Sequence, residues 1–168
     1  MKSSRRRPHR PKGRRRGRSR KKLLPPSNSI EILNRQRRVS INRTQLKSAI
    51  QKVLLAEGVR HANLEIALVN DSAIRRVHNR FLQLDSPTDV LTFPLQEPGE
   101  PIAGAIVISA ETAAREGPRH GLEPKIEILL YAIHGILHLC GYDDHFASDV
   151  RCMRRRQKTL LRQVSALI

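Results

Sequence analysis

Aromatic residues are scarce in this 168-residue chain: they make up 3% of it, and tryptophan is absent. Large rings cannot dominate the core, so packing falls to Leu, Ile, Val and Ala, with apolar residues still reaching 39%. Cysteine is nearly as rare. Cys140 and Cys152 are the only two, which excludes a small scaffold stapled by disulfides. No long apolar run exists either. Residues 126–140 form the longest, but Glu127, His134 and His138 interrupt it, and it is too short to span a bilayer. The first apolar pair, Leu23-Leu24, runs directly into Pro25-Pro26, so no secretory core is present. These absences predict a soluble, cytoplasmic protein without membrane association.

The last shortage is local. Residues 1–22 hold thirteen Lys or Arg and no acid, whereas residues 23–168 balance nineteen bases against fifteen acids. The formal charge of +17 is therefore mostly the property of one arm. Residues 1–28 are dominated by Arg, Lys, Pro, Ser and Gly, cannot bury apolar surface, and are expected to be disordered. Such an arm, with Arg14, Arg15 and Arg16 at its centre, suits phosphate contact without sequence preference. A mitochondrial transit peptide is also Arg-rich and acid-poor, but it needs an apolar face that this arm lacks.

Residues 29–168 read as one globular domain. Short strands are expected at Ile30 and Ile32 and around Val39 and Ile41. Asn42 or Thr44 can cap a helix with Leu46, Ile50, Val53 and Leu54 on one face and Gly58 at its end. Residues 62–69 alternate as a strand, and Ser72 is expected to cap a helix to about Leu82. Residues 88–95 and 104–109 are further strands. Helices follow over 111–115, from Pro124 to Leu139, and over about 147–164 with Val150, Met153, Leu160 and Leu161 inward. The fold class is α+β: a small mixed sheet of about four strands flanked by helices, with a zincin-like metal-binding helix.

That helix carries the chemistry. His134-Gly-Ile-Leu-His138 places two imidazoles one turn apart on one face. After the turn at Gly141, residues 143–145 can bring back a third ligand. Three protein ligands and one open position describe a catalytic zinc site. Helical zinc peptidases place glutamate directly after the first histidine as general base; here Gly135 stands there, which argues against peptide hydrolysis. His134, His138 and Asp143 are the candidate catalytic residues, Asp143 or a substrate group serving as base. Cys140 falls on the opposite side of the helix from His138 and reads as an inert thiol. His61, His78 and His120 read as ordinary surface histidines. Asp89 either supports a ligand histidine or caps a strand turn.

The run His134-Gly-Ile-Leu-His-Leu-Cys-Gly-Tyr-Asp143 resembles the signature of the YbeY family of bacterial endoribonucleases and ribosomal RNA maturation factors. Asp85-Ser-Pro-Thr-Asp-Val-Leu-Thr-Phe-Pro94 is similar to a strand motif of that family, and Gly104-Ala-Ile-Val-Ile108 and Glu111-Thr-Ala-Ala-Arg-Glu116 also fit. The resemblance covers roughly residues 29–168 and leaves out the arm. It implies one zinc ion per chain and single-strand-specific RNA cleavage in small-subunit rRNA 3′-end maturation and late ribosome quality control. The implied partners are rRNA and the small ribosomal subunit.

Three departures stand out. The family's third ligand is a histidine ten residues after the first; here that position is Asp144, with His145 next. Register favours Asp144 and ligand preference favours His145. Asp144 is taken as the ligand, with His145 as the alternative and otherwise a proton carrier beside the site. Leu82 stands where many members carry an RNA-engaging arginine, with Arg75, Arg76 and Arg80 nearby in sequence. Ala105 replaces a common acid, read as a solvent-facing charge lost from a strand end. Arg151, Arg154, Arg155, Arg156, Lys158 and Arg162 form a basic band on the last helix, from which Arg154 and Arg155 are the main RNA-binding candidates. Two rivals remain: a metallopeptidase-like hydrolase, and a noncatalytic ribosome-assembly factor that zinc merely stabilises.

Overall fold

The structure, a computed structural model, describes residues 27–168. The expected disorder of the arm and the placement of Arg14, Arg15 and Arg16 lie outside the described residues. The chain runs β1 (Ser27–Asn34), α1 (Arg43–Ala56), β2 (His61–Val69), α2 (Asp71–Leu82), β3 (Val90–Pro94), β4 (Ile102–Ser109), α3 (Ala110–Glu116), α4 (Pro124–Leu139) and α5 (Ala147–Val164). β1 begins at Ser27, two residues inside the segment expected to belong to the arm.

The four strands form one mixed sheet in the order β1-β2-β4-β3. β1, β2 and β4 are parallel, and β3 joins antiparallel at the edge. Register sets Ile32, Ile66, Ile106 and Thr92 in one row across the sheet. Alternation along each strand then divides the apolar residues between two faces. On one face, Leu64, Ile66, Leu68, Ile106 and Ile108 join Leu46, Ile50 and Leu54 of α1 and Leu129, Ile133 and Ile136 of α4 in the main core. On the other, Val69, Leu91 and Ile74 make a second cluster with Val77, Phe93 and Val107, and α2 covers it.

α4 packs against the sheet at two glycines, its own Gly135 and Gly104 of β4. A Cβ on Gly135 would come within 2.9 Å of Ile106 Cδ1, Ile106 Cγ2 and Thr92 Oγ1. A Cβ on Gly104 would come within 2.7 Å of Leu139. The helix carrying the histidines is thereby seated against β3 and β4.

Several expectations need correction. Val39 and Ile41 form no strand. The buried Gln36 side chain instead donates to Val39 O and accepts from Val39 N, both at 2.9 Å, satisfying backbone groups that a strand partner would have taken. Asn70, not Ser72, caps α2, its Oδ1 accepting from Ala73 N at 2.8 Å. Asn42, rather than Thr44, caps α1. β3 starts at Val90, because Asp89 Oδ1 accepts from Val90 N and Thr88 Oγ1 just before it. Ala105 sits within β4 and not at its end, in register with Glu65 and Phe93; an acid there would face Glu65 at a like-charge cost. On α5, Met153, Leu160 and Val164 are buried, while Val150 and Leu161 are only partly so. His61 is exposed, but His78 is buried, with Nδ1 2.7 Å from Ser86 O. His120 Nδ1 lies 3.0 Å from the buried carboxylate of Glu127.

Candidate metal centre

α4 starts with Pro124 in its first turn, where a missing N–H is harmless, and runs sixteen residues to Leu139. Most of it is buried, yet His134 and His138 keep side chains 26% and 28% exposed at the β3 side. Their Nε2 atoms approach to 3.0 Å, with the rings edge to face. His138 Nδ1 lies 3.1 Å from Tyr142 O, an oxygen that can only accept. The proton must therefore sit on Nδ1, which leaves the Nε2 lone pair facing the site.

Gly141 turns the chain at the end of α4 with φ +89°, a conformation few other residues adopt. Tyr142 N then donates to Leu137 O at 3.0 Å, and the following residues fold back over the histidines. Asp144 Oδ2 arrives 3.8 Å from both Nε2 atoms. The three donor atoms all lie within 4.8 Å of one another. Ligands about 2 Å from a tetrahedral zinc sit roughly 3.3 Å apart, so this donor set fits such an ion with small adjustment.

Burial and the neighbouring His138 lower the pKa of His134 against opposing pulls from Asp144, Asp89 and a Gln157 hydrogen bond. The net effect favours the neutral imidazole, the form that ligates. Gln157 comes from α5, and the sequence offered no signal for it beyond being the one amide within a basic run. Burial pushes the Cys140 thiol up to about 11, in keeping with an inert residue.

Other candidates fall into place around this centre. Asp143 Oδ1 accepts from Asp144 N and His145 N at 2.7 and 3.3 Å, so its carboxylate shapes the loop. His145 stands 80% exposed, with Nε2 3.5 Å from Asp143 Oδ1. It lines a groove of about 500 Å³ together with His134, His138, Leu82, Val90 and Thr92. Asp89 caps the strand turn, as described above. The position after His134, where a peptidase would carry its glutamate, points into the sheet.

The arginines divide. Arg75 is held by Asp85 through two short bonds, Nε to Oδ1 at 2.7 Å and Nη2 to Oδ2 at 2.6 Å. Arg156 is structural: its Nε donates to Glu57 Oε1 at 2.6 Å and its Nη2 to Ala56 O at 2.9 Å. Tyr142 OH donates to the other Glu57 oxygen at 3.2 Å, so one carboxylate ties α5 and the loop after α4 to the end of α1. Arg76, Arg80, Arg154 and Arg155 are exposed.

Comparison with known proteins bears on this arrangement. A family model described as Endoribonuclease YbeY matches residues 31–165. A Geobacter metallireducens protein named Endoribonuclease YbeY is 33% identical over 145 residues, covering 83% of this chain and 95% of the relative. One of the same name from Anaeromyxobacter dehalogenans is 41% identical over 122 residues, covering 70% of this chain and 62% of the relative. The solution structure of a Thermotoga maritima protein superposes with a TM-score of 0.60 at 28% identity, over 80% of this chain and 88% of that one. No helix among the described residues is long and apolar enough to cross a membrane. With a family match spanning the sheet, all five helices and the paired histidines, this chain belongs to the YbeY family.

Proposed function

We propose that this chain is a zinc-dependent endoribonuclease that cleaves single-stranded segments of ribosomal RNA in maturation of the small subunit, in the cytoplasm. The observation that carries this is the convergence of His134 Nε2, His138 Nε2 and Asp144 Oδ2, with both histidines lining an open groove, in a chain whose relatives are named Endoribonuclease YbeY. Zinc held by these three residues would supply Lewis-acid polarisation of a phosphoryl oxygen.

The remaining work belongs to the chain's own groups. Tyr142 O fixes the tautomer and direction of His138. His145, exposed on the groove wall, is oriented by Asp143 through Nε2 and carries a proton to or from the reacting oxygens at its other ring nitrogen. Arg154 and Arg155 on α5, Arg76 and Arg80 on α2, and the basic arm with Arg14, Arg15 and Arg16 attract phosphate.

The test is cleavage of a precursor rRNA by wild type and by His138→Ala, Asp144→Ala and His145→Ala, with zinc quantified in each. We expect His138→Ala and Asp144→Ala to lose zinc and cleavage together. His145→Ala should retain zinc and cleave slowly. Equal processing by all four proteins would refute the catalytic reading. Loss of zinc from His145→Ala but not from Asp144→Ala would overturn the ligand assignment.

A further inference from the structure

The metal groove has an electrostatic deficit for a site that handles phosphodiesters. Its walls are Leu82, Val90, Leu91, Thr92, Pro94 and the three histidines; no Lys or Arg among the described residues lines it. A polyanion bound there must be anchored elsewhere. Immediately across the C-terminal end of α2 lies a second groove of about 680 Å³, at the carboxyl ends of parallel strands β1 and β2. Arg35, which follows β1, and Arg76 and Arg80 of α2 line it, with Val77 and Phe81.

These three guanidinium groups differ from the others nearby. Arg75, Arg115, Arg119 and Arg156 each grip a carboxylate. Arg35, Arg76 and Arg80 are exposed and have no ion-pair partner among the described residues. Arg76 donates only to the neutral Ser72 Oγ, at 2.8 Å. Three uncompensated cations around one concavity form a site for a polyanion.

The same groove offers an aromatic surface. Phe81 is 60% exposed, although its ring is braced from behind by Phe93 at 5.1 Å between centroids. The Arg80 guanidinium lies 5.7 Å over the Phe81 ring. A braced, exposed ring beside free guanidinium groups is what unpaired nucleobases stack on. Phe81 lines the arginine groove, and its neighbour Leu82 lines the metal groove. The end of α2 is therefore a ridge that a strand crosses in passing from one groove to the other.

We propose that the Arg35–Arg76–Arg80–Phe81 groove is the track for the single-stranded RNA flanking the cleaved bond on one side. The arginines take its phosphates and Phe81 takes one base. The proposal rests on the endoribonuclease reading above and adds where the substrate is held outside the metal site.

The test pairs binding with turnover. A fluorescein-labelled oligouridylate is titrated by anisotropy into His138→Ala protein with and without Arg35→Gln, Arg76→Gln and Arg80→Gln combined. The triple change should weaken binding about tenfold or more and lower the log–log salt slope by about 2. Phe81→Leu, which keeps apolar bulk against Phe93, should weaken binding about tenfold with little change in slope. In the active protein the triple change should raise KM and leave kcat within about twofold. Trimming the substrate from one end should abolish that difference.

Unchanged affinity and salt slope in the triple variant would overturn the track. So would a polyglutamate peptide that binds the groove as tightly as the RNA, which would mark an acidic-protein surface. Absence of cleavage by the wild type would instead refute the enzymatic reading, and the binding arm would still judge the groove.

Discussion

Consider Gly135→Glu, the single change that would restore the His-Glu-x-x-His pattern of helical zinc peptidases. On sequence grounds alone it installs a missing base. The structure predicts the opposite, because the Cβ vector at 135 meets Ile106 and Thr92 at 2.9 Å, and Ile106 is fully buried in mid-strand. The smaller change Gly135→Ala separates the effects. Inserting a methyl into a packed contact costs about 1–3 kcal/mol, and alanine recovers about 1 kcal/mol of helix propensity. The net loss is about 0–2 kcal/mol, or a fall in Tm of up to about 8 °C. Glutamate adds further methylenes and a carboxylate without a hydrogen-bond donor in the sheet interface, which raises the cost to about 5 kcal/mol or more. That is comparable to the whole stability of many domains. Thermal melts by circular dichroism, with zinc content and casein hydrolysis measured on the same samples, give the readout. Gly135→Ala should fold and bind zinc as the wild type does; Gly135→Glu should be insoluble or melt at least about 10 °C lower. A Gly135→Glu protein that melts within a few degrees of wild type, or gains proteolysis, would show that α4 is not seated as described.

Other consequences can be checked directly. Glu57→Ala removes the partner of both Arg156 and Tyr142 and should lower stability by about 2–3 kcal/mol, seen as a lower urea midpoint at unchanged slope; Glu57→Gln should lose less. Burial raises the pKa of Asp71, but hydrogen bonds from Ser109, Thr112 and Arg115 outweigh it and hold the carboxyl below its usual 3.8. A depressed carboxylate stabilises the fold above its unfolded pKa and ceases to do so as pH falls through its folded one. Asp71→Asn should therefore flatten the loss of stability below about pH 4, and an unchanged urea-midpoint profile would contradict this. Iodoacetamide should modify the exposed Cys152 well before Cys140, whose thiol burial holds at about 11, as peptide mass spectrometry would show. Leu82→Arg, at a 56% exposed position on the metal groove, should lower KM for RNA several-fold with kcat little changed; an unchanged KM would argue that substrate does not pass this wall.

Where residues act through periodicity, the fold could be read in advance. Leu46, Ile50, Val53 and Leu54 mark α1, and alternation over 62–69 marks β2, because burial of one face imposes those spacings. The failures come from single side chains satisfying backbone locally. Gln36 replaces a strand partner at Val39, and Asn70 takes the cap expected of Ser72; neither choice has a periodic trace. At the site, the two histidines follow from helix geometry, whereas Glu57 acts across the tertiary fold, and no local pattern reports that. Gly135 is the instructive case. Its meaning on the page of the sequence was a missing base, but in space it is a contact distance.

The carboxylate of Glu57 has a further consequence, for the order in which the protein comes together. Its bonds to Tyr142 and Arg156 span 85 and 99 residues of chain. Contacts of that separation close late, since loop entropy must be overcome before they contribute. The loop bearing Asp144 lies between those two anchored residues, so its position is set only after most of the sheet and α4 exist. A nascent chain can display both histidines on a finished α4 while Asp144 is still unplaced. With Asp144 as the proposed ligand, such a chain would complete its site only once α5 has emerged and docked.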